Sequence, residues 1–137
     1  MSYALTTTVP RPFATVLEQV RSALAEVGFG VLTEIDLQQT LKAKLGVDIP
    51  AQIILGACRP PLAYAALQAE PSIGLLLPCN VVVRALGDGS TAVEAMDPQM
   101  MVGVTGNDDL AEVASDAGAR LRAALHSLDP APVAATG

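Results

Sequence analysis

Apolar residues recur along the chain with two different periods, and the switches between them mark out the elements. From Phe13, the apolar positions Val16, Leu17, Val20, Leu24 and Val27 return at steps of three and four, while Glu18, Arg21, Ser22 and Glu26 hold the opposite side. That spacing predicts a helix with one buried stripe. Gly28 ends it, because glycine enters the left-handed conformation without a Cβ clash, and Phe29 can then fold back on the last turn. Leu37, Leu41 and Leu45 predict a second helix, opened by Asp36 with Gln39 three residues on and stopped by Gly46. Pro60 and Pro61 suit the first turn of a third helix, which Pro71 closes. The longest stripe follows Asn107 and contains Leu110, Val113, Ala114, Ala117, Leu121, Ala124, Leu125 and Leu128. Asp108, Asp109 and Glu112 at its start, with Arg120, Arg122 and His126 near its end, complement the helix dipole.

Between these stripes the pattern is that of strands. Tyr3–Val9 is rich in β-branched residues and stops at Pro10 and Pro12. Val31–Ile35 reads as a short strand. Ala51–Ala57 reads as one that is apolar on both faces, at Ile53, Ile54 and Leu55. Leu75–Leu86 carries the strongest strand signal, with Pro78 marking a bulge, bend or edge inside it. Gly87–Ser90 then turns the chain into Thr91–Met96, forming a hairpin. The expected architecture is a single α+β domain over residues 1–128, a two-layer sandwich whose helices pack on one face of a mainly antiparallel sheet. Residues 129–137 are expected to be a disordered tail.

Composition narrows the functional classes. A chain of 137 residues has room for one core. It is 51% hydrophobic with a mean hydropathy of +0.44, yet no apolar run approaches the roughly 20 residues that cross a bilayer. No membrane association is expected, and the apolar excess points instead to burial against a second copy in a homodimer. A net charge of -6, eight scattered basic residues and only Tyr3, Phe13, Phe29 and Tyr64 for stacking argue against nucleic acid. The first residues lack a secretory pattern, so a cytoplasmic, reducing setting is expected. There, two cysteines are free thiols, metal ligands or a redox pair rather than a structural bridge.

Those cysteines are the chief candidates for chemistry. Cys58 precedes Arg59, Pro60 and Pro61, which places it just ahead of a helix N-terminus and beside a fixed positive charge, both of which favour thiolate. Alternation puts Cys79 on the side of Val81 and Val83, opposite Asn80 and Arg84. If the two strands are neighbours, the sulfurs come within disulfide or metal reach. Two sulfurs alone do not close a tetrahedral zinc site, and no histidine-rich motif adds to them. Two buried cysteines acting as small hydrophobes form the competing reading. His126 falls on a polar helix face, Asp36 next to Glu34 has a cap to form, and Lys42 and Lys44 read as solvated. Gly87–Gly89 has no helix after it to receive phosphate. Met96, Met100 and Met101 read first as packing residues and second as thioether ligands.

Three passages carry a resemblance: GFGVLTEIDLQQTLKAKLG at 28–46, ILGACRPPLAYAAL at 54–67 and LLLPCNVVVR at 75–84. Together, over about residues 13–127, the chain resembles the bacterial and archaeal domain-of-unknown-function family three hundred and two. The resemblance implies a small α+β domain that forms homodimers, with no established activity. It also implies that this chain belongs to a branch that keeps both cysteines, other members having a glycine-proline loop there. The chain departs from the family pattern at Arg59, where asparagine is expected.

Three functions are open on these grounds. The first is a dimeric binding or sensing module for a small ligand or a soft metal ion, built on Cys58 and Cys79 with Arg59 and Asn80 as polar orienters. The second is a thiol-dependent redox enzyme in which Cys58 attacks as thiolate and Cys79 resolves the intermediate. The third is an interaction protein with inert cysteines.

Overall fold

The computed structural model of the chain describes residues 2–128 and 134–136. Its strands are β1 (Ala4–Val9), β2 (Gly30–Asp36), β3 (Gln52–Cys58), β4 (Cys79–Ala85), β5 (Thr91–Met96) and β6 (Ala134–Thr136). They form one sheet in the order β2-β3-β4-β5-β1-β6, and every neighbouring pair is antiparallel. The helices are α1 (Phe13–Glu26), α2 (Leu37–Leu45), α3 (Pro60–Ala69), α4 (Gln99–Thr105) and α5 (Ala111–Leu128). This is the α+β class expected from the sequence.

Register and alternation together build the core. Leu55, Val81, Ala95 and Leu5 stand opposite one another across four strands, so one row of side chains leaves the sheet on a single face. That row is fully buried and meets Val16, Val20 and Leu24 of α1 and Leu121 and Leu125 of α5. Each such aliphatic side chain contributes about 1.5–3 kcal/mol when removed from water. α1 ends as its glycine predicts: Gly28 takes φ 86° and donates to the Ala25 carbonyl, while Phe29 donates to Leu24 and buries its ring. This Schellman arrangement fixes where β2 begins.

Three expectations are corrected. The apolar run from Leu75 does not start a strand. Pro71–Leu76 forms a 3-10 turn that buries Ile73 against Met101, Leu110 and Ala114, and pairing begins only at Cys79, after a cis Leu77–Pro78 peptide. The segment after Asp97, not expected to be helical, forms α4. Asp97 accepts from the Gln99 amide at 3.0 Å, and Gly106 ends the helix at φ 68°. α2 forms with its Asp36 cap, but its leucine stripe finds no core, and Leu45 remains 69% exposed. Residues 134–136 pair with β1, whose outer edge would otherwise leave its amides and carbonyls without strand partners; of the tail expected to be disordered, 129–133 and 137 lie outside the described residues.

One joint holds the helical end of the sheet together. Asn107 donates from Nδ2 to the Ala69 carbonyl and to Glu70 Oε1, both at 2.9 Å, and accepts from the Asp109 amide. It thus ties the exit of α3 to the entry of α5.

Gly56 gives the most direct test of this packing. A Cβ there would lie 2.8 Å from Pro78 Cγ and would collide with Thr33 Oγ1. Gly56→Ala is expected to cost about 1–3 kcal/mol in urea unfolding, and adding Thr33→Ala should restore part of that loss by removing one of the two obstacles.

Candidate functional site

The chain's chemical groups gather at the end of the sheet where β3 stops and β4 starts. Ala57 pairs with Cys79 across the two strands, so Cys58, the last residue of β3, sits one step from the buried thiol. Immediately afterwards Arg59 leads into α3, which packs toward α5. Between them lies a cavity of about 30 Å³, lined by Cys58, Arg59, Cys79, Phe29, Pro78 and Met101 together with aliphatic side chains of α3 and α5. A water needs roughly 10–15 Å³ of such space. The cavity therefore has room for one or two waters or a single ion.

Its electrostatics follow from burial. Cys79 is 5% exposed, and its pKa is pushed up to about 11, first by loss of hydration and second by the nearby charge of Cys58. Cys79 is thus a neutral thiol near pH 7. Both are free thiols, without a disulfide. Neither histidine nor a carboxylate lines the cavity, and no group of three His, Cys, Asp or Glu converges anywhere among the described residues.

Arg59 is the charged member of the lining. Its Nε is buried without a hydrogen-bond partner, and among the described residues its guanidinium takes part in no ion pair. The side chain lies over Gly28, where an added Cβ would come within 3.0 Å of Nε, so the same glycine that ends α1 also admits the arginine. The N-terminus of α3 adds its dipole but few donors. Pro60 and Pro61 have no N–H, and the Leu62 and Ala63 amides both donate to the Arg59 carbonyl at 3.0 Å.

The sequence-derived candidates therefore divide. Cys58, Arg59 and Cys79 meet at one cavity. Asn80 does not: it faces the opposite side of the sheet, exposed, in a shallow recess with Tyr3, Val82, Glu94 and Met96. His126 is exposed at the end of α5, Glu34 pairs with Arg21, and Lys42 pairs with Asp48 at 3.0 Å. Of the three methionines, Met101 alone lines the thiol cavity, almost wholly buried. The short helix that carries it was recoverable from the sequence, since Asp97–Pro98 and Gly106 are start and stop signals, but its place at the cavity was not.

Fold and cavity define the class: an antiparallel α+β protein with helices over one sheet face and a thiol-lined cavity at one end of the sheet. The chain belongs to the family described as Domain of unknown function DUF302, whose model matches residues 5–128. It is similar to a solved structure of an uncharacterized conserved DUF302 protein from Bacillus stearothermophilus, with 31% sequence identity and a TM-score of 0.83. The match covers 90% of this chain and 95% of that one. No protein with a curated description matches. Among the described residues, no helix is long and apolar enough to cross a membrane.

The buried thiol has a pH signature. Folding raises Cys79 from its ordinary 9.0 to about 11, so between those values the folded chain keeps a proton that the unfolded chain releases. Stability contributed by this group is complete below pH 9.0 and falls as pH rises toward about 11. Iodoacetamide labelling of Cys79, followed by peptide mass, is expected to be at least about 100-fold slower at pH 8 in the folded chain than in urea, and to quicken roughly tenfold per pH unit up to that limit.

Proposed function

We propose that this chain is a soft-metal-binding module in which Cys58 and Cys79 are the thiolate ligands. The observation that carries the reading is that two cysteines from different strands line one cavity whose other walls are apolar except for Arg59, with room for a single ion. A bound cation would replace the thiol proton of Cys79 and stabilise the thiolate that burial disfavours. A reducing compartment, where thiols stay free, suits this role.

A second reading, a redox pair, is favoured by the meeting of both cysteines at one cavity. It asks Cys79 to attack as a thiolate, a form that burial opposes.

Anaerobic titration of the reduced protein with Cu(I), Ag(I) and Zn(II), with free thiols counted at each step, separates the two. One soft ion per chain masking both thiols is expected, with Cys79→Ser weakening binding by about 100-fold or more. No ion bound, together with an intramolecular disulfide under mild oxidant, would replace this reading with the redox one.

The module is proposed to act as a homodimer. β2 is an edge strand, and exposed Leu32 and Ile35 on it, with Leu45 and Val47 at and beyond the end of α2, leave apolar surface along that side. Sedimentation velocity should give twice the 14.0 kDa chain mass, and Leu32→Glu with Leu45→Glu should return the monomer.

A further inference from the structure

Resting on the soft-metal reading, we propose that the cavity selects a monovalent soft ion of the Cu(I) type, with Met101 as third sulfur ligand beside Cys58 and Cys79 and Arg59 as the counter-charge. The donor set is the first argument. Thiolate and thioether are the ligands that favour Cu(I), whereas zinc in a structural site takes four N, S or O donors in a closed tetrahedron. The cavity offers two thiols and the thioether of Met101, with no imidazole or carboxylate in its lining to complete a fourth position.

Charge is the second argument, and it is independent of donor count. Two thiolates and a monovalent ion sum to one negative charge, which the guanidinium of Arg59 cancels. Two thiolates and a divalent ion are already neutral, and Arg59 would then place an extra positive charge beside the site. Partly exposed at the cavity, Arg59 favours a site with one net negative charge over a neutral one.

Arg59 has the freedom that this role requires. Its Nε is buried with no hydrogen bond, and it forms no ion pair among the described residues. Its position over Gly28 holds it at the cavity. The neighbouring helix start does not substitute for it, because Pro60 and Pro61 carry no N–H and the next two amides are already bonded. The binding step is an exchange without electron transfer: two S–H bonds break, their protons leave to solvent, two metal–thiolate bonds form, and the ion enters and stays in the monovalent state.

The test uses the reduced full chain. Cu(I) is titrated in competition with a chromophoric Cu(I) chelator, and Zn(II) with a colorimetric zinc chelator, for the unaltered protein, Arg59→Gln and Met101→Leu. X-ray absorption at the copper edge counts the sulfur neighbours. Three sulfurs are expected in the unaltered protein and two in Met101→Leu. Arg59→Gln should weaken Cu(I) by roughly tenfold or more while leaving Zn(II) unchanged or tighter. Met101→Leu nearly conserves volume, and circular dichroism confirms its fold. Should it unfold, the sulfur count in the unaltered protein decides the third ligand alone. Cu(I) bound by two sulfurs, or indifferent to Arg59→Gln, overturns this proposal and leaves the soft-metal reading intact. No uptake of any metal overturns both.

Discussion

The antiparallel register between β3 and β4 is the constraint on which the rest of this molecule depends. It sets Leu55 opposite Val81, which creates the row that α1 and α5 cover, and in the same ladder it sets Ala57 opposite Cys79. Core and site are consequences of one alignment. A slip of one residue would turn Val81, Val83 and Cys79 to the other face together and expose the apolar row. Burying that row is strongly favourable, so the position of the thiol is held by hydrophobic free energy and needs no bond of its own.

Burial then works on the thiol it has positioned. Removing Cys79 from water disfavours its charged form, while Arg59 has a buried nitrogen without a partner at the same cavity. A half-satisfied arrangement of this kind is uncommon in a well-packed core, where nearly every buried polar group is paired. Here that unpartnered nitrogen borders the same small space as the buried thiol, with Met101 beside them. The rest of the lining is aliphatic or aromatic and offers neither of them relief.

Much of this was legible in the sequence, and the exceptions have physical causes. The α1 stripe, its Gly28 stop, the Asp36 cap and the long α5 stripe follow local rules that tertiary packing reinforced. Leu75–Leu77 misled because an apolar run has no period of its own; Ile73, in the turn before it, is what the second small core claims, and Leu75 faces water. Leu45 misled in the opposite direction, since a leucine stripe shows which face of a helix is apolar and not whether anything covers it. At the site, alternation correctly separated Cys79 from Asn80, yet adjacency in sequence had placed both among the candidates. Met101 was the harder residue to place. Its approach to the cysteines depends on α4 and on the way α3 and α5 meet, contacts between distant segments that one-dimensional spacing does not encode.

Asn107 carries a consequence beyond helix capping. α3 lines one side of the thiol cavity, and Ala66 is its one fully buried residue, so apolar packing holds it lightly. What restrains it lies at its two ends: Arg59 over Gly28 at one, and the Asn107 amide on Ala69 and Glu70 at the other. The restraint farther from the sulfurs is a side-chain amide that hydrogen-bonds to none of the residues lining the cavity. The seating of one side of that space is thus set from outside it, by a residue with no chemistry of its own to offer there.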